Sequence, residues 1–203
     1  MDKRIKIINE NPLGTRPSWD EIMMCTAILW ASRSSCIHVH SATILASDNQ
    51  IIAEGYNGAP SKIKENCLLT GCRKEKKGLE YKASLNCGEC IGIHSEMNAV
   101  GHLSKREIES AIVYNTIFPC HGCAKNLLPY NPEKIIFKNF YSEKELKSTL
   151  DLLEEAQVPI FQLNISPARY LDISFSQQSA LFDVWSNQEK EQLKQILSNF
   201  TVR

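Results

Sequence analysis

One histidine, one glutamate and two cysteines form the feature that most constrains this sequence. His94 and Glu96 are separated by a single residue, and after a predicted strand Pro119 precedes Cys120, with Cys123 following at Cys-x-x-Cys spacing. One imidazole and two thiolates are ligands that suit a tetrahedral zinc ion whose fourth position is left open for water. The fold must therefore bring two separate segments of the chain together at one point.

The residue types around these ligands fit that chemistry. The spacing of Cys120 and Cys123 lets two thiolates reach one metal ion. Pro119 fixes φ just before a predicted helix N-terminus, where free N–H groups and the positive end of the helix dipole favour thiolates. Taken singly, a buried histidine, a surface glutamate and a structural Cys-x-x-Cys pair are the commoner interpretations, but their combination favours a catalytic zinc site.

The combined pattern resembles that of the zinc nucleobase deaminases, in which H-x-E is followed by P-C-x-x-C. The resemblance implies that zinc-bound hydroxide attacks an amino-substituted carbon of a pyrimidine or purine, with loss of ammonia. Glu96 is then predicted to be the proton shuttle, which takes a proton from the water, passes it to the ring nitrogen and protonates the leaving amine. The predicted ligands of this catalytic zinc are His94, Cys120 and Cys123.

Length and charge narrow the class of protein. The chain has 203 residues with 23 basic and 23 acidic side chains, which suits one domain, or one domain with an appendage, and gives no reason to expect a nucleic-acid partner. No apolar run has the length of a secretory leader or a membrane span, so we expect no membrane association and a cytoplasmic location. The eight cysteines are then expected to be reduced and to include metal ligands.

Predicted strands alternate with predicted helices, which favours an α/β fold with a partly parallel sheet. We expect a deaminase domain over 1–165, beginning with an extended arm at 1–16, and a helical extension of unknown role over 166–203. The predicted strands cover 41–46, 50–55, 112–118, 134–140 and 158–164. One predicted helix begins at 17 and ends at 32–35, and two others cover 95–103 and 143–157. Two more are predicted, one after Cys123 and one that opens with the Ser186/Glu189 capping box.

A second metal site is predicted around the irregular segment 56–93. The candidate ligands are Cys36, Cys67, Cys72, Cys87 and Cys90. Four of these five thiols would hold a closed, structural zinc that staples the segment to the catalytic helix, with either Cys36 or Cys87 as the spare. The alternative is a set of free thiols, because cysteine often packs simply as a small buried residue.

With these pieces together, the sequence resembles the deoxycytidylate (dCMP) deaminase family, within the cytidine deaminase-like superfamily, from about Arg16 to Leu163. The motifs that carry the resemblance are Arg16-Pro17-Ser18-Trp19-Asp20, Arg33-Ser34-Ser35-Cys36, Gly55-Tyr56-Asn57-Gly58-Ala59-Pro60, Cys67 with Gly71-Cys72-Arg73, His94-Ser95-Glu96-Met97-Asn98-Ala99 and Pro119-Cys120-His121-Gly122-Cys123-Ala124-Lys125. The resemblance implies a three-layer α/β/α sandwich with a central mixed sheet. It also implies hydrolysis of dCMP to dUMP and ammonia, and often a hexameric homo-oligomer.

The resemblance further implies contacts with ligands. Asn57 is expected near the sugar of a bound nucleotide, and Tyr141 stands where an aromatic residue commonly closes over the base. In some members dCTP activates the enzyme and dTTP inhibits it, and Mg²⁺ is expected to accompany the allosteric nucleotide. In some members a cysteine that matches Cys36 binds a second zinc. The cations considered for the substrate phosphate are Arg33, Lys62, Lys64, Arg73 and Lys105, each with a solvated surface charge as the alternative.

The sequence departs from this family at several positions. Ser41, Ala42 and Thr43 stand where members usually have Val-Gly-Ala, in the strand that lines the base pocket, so Thr43 is expected to shape that pocket and its hydrogen bonds. Ser95 stands where alanine is common and is expected to face away from the metal. His38 stands where an arginine often sits, which weakens the prediction of a phosphate site.

Three alternatives remain open on the sequence alone. A deaminase of tRNA or single-stranded DNA bases would need a basic groove with interleaved aromatic residues, and the neutral charge and 8% aromatic content count against it. A zinc-stapled regulatory protein that has lost its activity would have no reason to retain Glu96. A deaminase of another heterocycle is kept open by the departure over Ser41 to Thr43.

Overall fold

Six strands, eight α-helices and one 3₁₀-helix (Leu128–Tyr130) are assigned in the parts of the chain that the computed structural model describes, residues 2–80, 89–101, 103, 110–141, 146–175 and 186–200. The strands are β1 (Ile5–Asn9), β2 (Ala42–Ser47), β3 (Gln50–Tyr56), β4 (Ile112–Ile117), β5 (Lys134–Asn139) and β6 (Ile160–Asn164). The helices are α1 (Trp19–Ala31), α2 (Cys67–Thr70), α3 (Arg73–Lys76), α4 (Ser95–Val100), α5 (His121–Leu127), α6 (Leu146–Glu155), α7 (Pro167–Phe175) and α8 (Asn187–Phe200). No helix within these ranges combines the length and apolar character needed to cross a bilayer.

The strands form one mixed sheet in the order β1-β6-β5-β4-β2-β3. Strands β1, β6, β5 and β4 run parallel to one another, whereas β2 is antiparallel to both β4 and β3. Parallel neighbours need crossover connections, and α5 and α6 lie in the connections that follow β4 and β5. The predicted α/β class with a mixed sheet is confirmed.

Helices cover both faces of the sheet, as two neighbouring residues of β4 show. The hydroxyl of Tyr114 donates a 2.6 Å hydrogen bond to Asp20 of α1. The next residue, Asn115, contacts Thr43 of β2, and Thr43 in turn contacts Ser95 of α4. Because successive side chains of a strand point to opposite faces, α1 and α4 lie on opposite sides of the sheet. This confirms the predicted three-layer α/β/α sandwich.

Two local structures fix the start of α1 and the turn between β2 and β3. The Ser18 hydroxyl accepts a hydrogen bond from the Glu21 backbone, and the Glu21 carboxylate accepts one from the Ser18 backbone, so a capping box opens α1. Between β2 and β3, Asp48 and Asn49 have φ of 50° and 62°. Positive φ at two successive residues is typical of the tight turns that join hairpin strands.

The core that supports the centre of the sheet includes residues from β2, β4, β5 and the helices α4, α5 and α6. Its fully buried members include Leu45, Ala99, Val113, Ala124, Phe137, Leu150 and Leu153. At Gly55 of β3, an added Cβ would lie 2.4 Å from both the Ala99 nitrogen and the Ser95 carbonyl oxygen. Glycine at this position therefore allows α4 to pack directly against β3.

The arm predicted over 1–16 contains a strand that the sequence analysis missed. Strand β1 pairs in parallel with β6, from Ile5 opposite Ile160 to Asn9 opposite Asn164. Ile5 is buried, but most of the strand is exposed or half-buried. A strand at the edge of a sheet with so little burial carries a weak periodic signal, which is why the segment was interpreted as an arm.

The irregular segment and its boundaries also differ in detail from the prediction. Two single-turn helices, α2 and α3, interrupt it, and an isolated bridge joins Gly58 to Ile93. Helix α4 ends at Val100 rather than at Leu103. The predicted start of α6 at 143 lies outside the described residues.

The contacts divide the chain into two compact units, one formed by Met1–Glu10 with Ser18–Ile165 and the other by Asn11–Pro17 with Ser166–Arg203. In the second unit, the fully buried guanidinium of Arg169 donates to the carbonyl oxygens of Pro12 and Thr15 and to Asp172. Asp172 also accepts a 2.9 Å hydrogen bond from the Gly14 backbone. These bonds tie the short N-terminal segment to α7.

Candidate metal centre

The N-termini of two helices meet at the predicted metal ligands. His94 is the N-cap residue of α4 and Cys120 is the N-cap residue of α5, and both have an extended backbone. The Cys120 sulfur accepts a 3.4 Å hydrogen bond from the Cys123 backbone, which fixes the turn between the two cysteines. The fold therefore brings together the end of the irregular segment and the end of β4.

The three predicted ligands converge on one point. His94 Nδ1 lies 3.2 Å from Cys123 Sγ and 3.6 Å from Cys120 Sγ, and the three ligand atoms all lie within 4.8 Å of one another. A tetrahedral zinc with Zn–S bonds of about 2.3 Å and Zn–N bonds of about 2.1 Å sets S···N separations of about 3.6 Å. The donor types and their spacing fit zinc, with Nδ1 as the ligand atom of His94.

Glu96 lies beside these ligands with only 5% of its surface exposed. Burial raises the pKa of the Glu96 carboxyl, while the neighbouring charge of His94 and a contact with the Cys123 thiol oppose that rise. A carboxyl whose pKa is raised in this way holds a proton more readily than a free carboxyl does, which suits a group that must both accept and donate protons. This is the property that the predicted proton shuttle needs.

The hydrogen bond between the two thiols of the centre shifts their pKa values in opposite directions. The hydrogen bond with Cys123, opposed by burial and aided by His94, lowers the pKa of Cys120 to about 4. The same hydrogen bond, together with burial, raises the pKa of Cys123. The hydrogen bond with Cys120 also raises the pKa of His94 against the effect of burial. Zinc binds thiolates, so its binding would require both cysteines to lose their protons.

A buried polar network connects Glu96 to the sheet. The hydroxyl oxygen of Ser95 lies 3.3 Å from Glu96 Oε2 and 2.9 Å from the hydroxyl oxygens of both Ser41 and Thr43. Thr43 Oγ1 also lies 2.8 Å from Asn115 Oδ1. Sequence reasoning missed this network, because its members are remote in the chain and no local pattern relates them.

The other side chains predicted to contact a nucleotide lie at the ends of elements. Asn57 follows β3, and its side-chain amide accepts a hydrogen bond from the Ser41 backbone and donates one to the Val39 carbonyl oxygen, each at 2.8 Å. Arg33 is exposed just after α1, and Tyr141, which is 41% exposed, lies just after β5. Asn57 thus holds the chain that leads into β2, whatever else it contacts.

Lys74 is a cation near the centre that sequence reasoning did not select. It is 5% exposed, which is unusual for lysine, and its charge lowers the pKa of His94, so it lies close to the metal ligands. It stands in a basic run where no sequence signal separates a buried lysine from solvated neighbours. The cations that were selected are mostly at the surface: Lys62 and Lys64 are exposed, Arg73 is half-buried, and Lys105 lies outside the described residues.

Three of the five cysteines proposed for a second metal lie near a fourth, Cys67. Burial raises the pKa of the Cys67 thiol, and interactions with Cys36, Cys72 and Cys90 raise it further. Among the described residues, no three of these sulfurs form a group whose ligand atoms all lie within 4.8 Å of one another. Cys87 lies outside the described residues.

A histidine and a glutamate extend this group in a way that the sequence did not suggest. The ligand atoms of His38, Cys72 and Glu75 lie within 4.8 Å of one another, and His38 Nε2 is 3.0 Å from Glu75 Oε1. In the sequence His38 stood out only as the replacement of an arginine. Its proximity to Cys72 depends on how the irregular segment folds.

Comparison with solved structures supports the fold. The crystal structure of dCMP deaminase from the cyanophage S-TIM5 in complex with dCMP and dUMP matches with a TM-score of 0.58 and 24% identity, covering 73% of this chain and 98% of that one. The apo form of the same enzyme matches with a TM-score of 0.54.

Comparison with curated sequences identifies relatives and a family. Deoxycytidylate deaminase of Schizosaccharomyces pombe is 30% identical over 157 residues, covering 75% of this chain and 46% of that protein. The deoxycytidylate deaminase of Homo sapiens is 31% identical over 120 residues, covering 59% of this chain and 64% of that protein. The chain spans about half the length of the Schizosaccharomyces pombe relative, at 46%. The family model for the cytidine and deoxycytidylate deaminase zinc-binding region matches residues 17–139, more than half of the chain. The chain therefore belongs to the cytidine and deoxycytidylate deaminase zinc-binding family.

Proposed function

We propose that this chain is a zinc-dependent deaminase of a free cytosine nucleotide, which converts dCMP to dUMP and ammonia. The observation that carries the proposal is the meeting of His94 Nδ1 with two thiol sulfurs beside the buried carboxyl of Glu96. Family membership and relatives named deoxycytidylate deaminase support the substrate class. The formal net charge of +0 favours a small nucleotide over a nucleic acid.

Each residue of the centre has a distinct task in this reaction. His94, Cys120 and Cys123 would hold the zinc, which lowers the pKa of a bound water to about 7. Glu96 would accept a proton from the attacking water and pass it to the ring nitrogen N3. It would then accept the remaining proton of the new C4 hydroxyl and pass it to the amino group, which leaves as ammonia when the C–N bond breaks. Because Glu96 is buried, bulk water does not compete for these protons.

An ammonia-release screen tests this function. The purified, zinc-loaded protein is offered cytosine, cytidine, deoxycytidine, CMP and dCMP, and the matching adenine compounds, one at a time. We expect dCMP to give the highest kcat/KM, and the adenine compounds to give no ammonia above background. Release from adenine nucleotides, or from none of the cytosine compounds, would refute the proposed substrate class.

Contact of Asn57, Thr43, Tyr141 and Arg33 with the substrate remains a prediction. Arg33 and Tyr141 are exposed and so accessible to a nucleotide, whereas Thr43 is fully buried. Asn57 would contact the sugar while its side chain holds the Val39 and Ser41 backbone. Location in the cytoplasm, homo-oligomer assembly and regulation by dCTP or dTTP with Mg²⁺ also remain predictions.

We further propose that the cysteines near Cys67, which include Cys36, Cys72 and Cys90, hold a second, structural zinc together with it. The proximity of Cys36, Cys72 and Cys90 to Cys67 supports a ligand set drawn from these cysteines. Four thiolates would form a closed site of the structural kind, which would staple the irregular segment to the start of α4.

Zinc content per chain tests the two sites separately. We expect about two zinc ions per chain in the purified protein, and about one after either Cys67→Ser or Cys120→Ser, since each substitution removes one of the thiolate ligands of a single site. Cys25→Ser is the matched control, because Cys25 is a buried cysteine of α1 outside both groups. A wild-type content near one that Cys67→Ser leaves unchanged would rule out the second zinc.

A further inference from the structure

The buried network behind Glu96 carries an inference about how this carboxylate is held. Its members come from three elements: Ser41 and Thr43 at the start of β2, Ser95 at the start of α4, and Asn115 in β4. Thr43 and Asn115 are direct partners in the β2–β4 register, so their side chains share one face of the sheet. Ser95 lies over this pair and reaches Glu96 with its hydroxyl.

Counting hydrogens decides which way the bonds of this network run. Each hydroxyl carries one hydrogen and can accept two bonds. Thr43 lies within hydrogen-bond distance of both Ser95 Oγ and Asn115 Oδ1, yet it can donate to only one of them. The Asn115 side-chain nitrogen, which is buried, has no hydrogen-bond partner among the described residues.

Two arrangements satisfy the hydrogen count. In the first, Thr43 donates to Asn115 Oδ1 and Ser95 donates to Thr43. That leaves the Asn115 nitrogen without an acceptor. It also leaves no hydrogen between Ser95 Oγ and Glu96 Oε2 whenever Glu96 is ionised, the state in which it accepts a proton. In the second, the Asn115 amide is turned by 180°, so that its nitrogen donates to Thr43, Thr43 and Ser41 donate to Ser95, and Ser95 donates to Glu96.

The second arrangement is the more favourable one. It gives the Thr43 and Ser95 hydroxyls both a donor and an acceptor role, and it gives the buried Asn115 nitrogen an acceptor in Thr43. The Asn115 oxygen then takes the position in which the nitrogen found no acceptor, and an unpaired carbonyl oxygen is better tolerated than an unpaired N–H group.

We propose that Asn115, Thr43 and Ser95 form a one-way chain of hydrogen bonds that ends on Glu96 Oε2 and orients its carboxylate for proton transfer. They are positioning residues, because none of them has to touch the substrate for this role. The catalytic part of the inference rests on the proposed role of Glu96.

Turnover of dCMP by Thr43 and Ser95 variants tests this role. Thr43→Val keeps nearly the same shape but removes the hydroxyl, and we expect it to lower kcat about tenfold with KM unchanged, because the carboxylate is misoriented without loss of binding. Thr43→Ser restores a hydroxyl and should stay within about twofold of the wild type. Ser95→Ala removes the hydroxyl that contacts Glu96, so Thr43 can no longer act on the carboxylate. The double variant Thr43→Val with Ser95→Ala should therefore have the same kcat as Ser95→Ala alone.

Two kinetic outcomes would overturn the proposal. One is a Thr43→Val variant that raises KM and leaves kcat unchanged, which would assign Thr43 to substrate binding. The other is a double variant whose loss of kcat equals the product of the two single losses, which would show that Thr43 acts independently of Ser95.

Thermal unfolding of the zinc-loaded wild type, Thr43→Val, Ser95→Ala and the double variant tests the network without using activity. Each single substitution is expected to lower Tm by about 3 °C, and the double variant by clearly less than the sum, because both break one chain of bonds. Additive losses of Tm would overturn the network itself. If the losses of Tm are smaller than additive but the protein releases no ammonia from dCMP, the proposed function is refuted and the hydrogen-bond network is supported.

Discussion

Replacing Glu96 with glutamine is expected to lower kcat for dCMP by about 10³-fold or more while the zinc content stays unchanged. Glutamine has nearly the shape of glutamate, but it cannot accept and release a proton at the points where the reaction requires it. Because burial raises the pKa of the Glu96 carboxyl, the ionised side chain does not stabilise the fold, and the neutral amide should not lower Tm. Ammonia release, zinc analysis and thermal unfolding measure the three quantities.

Glu54→Gln is the matched control for this variant. Glu54 is a half-buried glutamate of β3, outside the metal centre, and its replacement should leave kcat within about twofold of the wild type, as expected for a substitution away from the reacting atoms. Near-normal turnover by Glu96→Gln would remove Glu96 from its proposed role. Loss of zinc from that variant would show that the side chain supports the metal ligands instead.

The Gly55→Ala substitution is expected to destabilise the fold by about 3 kcal/mol or more. The new Cβ would lie 2.4 Å from the Ala99 nitrogen and the Ser95 carbonyl oxygen and 2.9 Å from the Asn98 carbonyl carbon. These are backbone atoms of a helix and cannot swing aside as the end of a side chain would. Helix α4 would have to move away from β3, and it carries His94 and Glu96 with it, so zinc binding should weaken too.

Gly78→Ala is the control that separates the steric clash at Gly55 from the general cost of replacing a glycine. Gly78 has φ of +71°, a conformation that disfavours other residues, but an added Cβ there meets nothing within 4 Å. We expect it to cost about 1–2 kcal/mol, because only the strained backbone contributes. Denaturant unfolding of both variants gives the comparison. A Gly55→Ala variant as stable as Gly78→Ala would show that α4 can shift without penalty.

The layered fold and the meeting of the metal ligands could be predicted because their signals are local. Zinc coordination sets the spacing of His94, Cys120 and Cys123, and the buried strands β2, β4 and β5 are short segments rich in apolar and β-branched residues. Such patterns depend little on the rest of the chain. They predicted which side chains would approach one another, and the structure places those ligand atoms within 4.8 Å.

What the sequence could not show depends on contacts between distant residues. Strand β1 is recognisable only by its pairing with β6, since its own residues are largely exposed. Thr43 and Ser95 looked like two unrelated departures from a family pattern, and only the packing of α4 over β2 joins their hydroxyls at 2.9 Å. The burial of Lys74 likewise depends on how the segment before α4 folds, and charge patterns do not encode it.

The most direct test of the proposed centre is a crystal structure of the zinc-loaded protein with anomalous data collected at the zinc edge. We predict a zinc peak about 2.1 Å from His94 Nδ1 and about 2.3 Å from the sulfurs of both Cys120 and Cys123, with water in the fourth position. Glu96 should then lie within hydrogen-bond reach of that water. A fourth protein ligand on this zinc, or no zinc between these three side chains, would contradict the proposed hydrolytic chemistry.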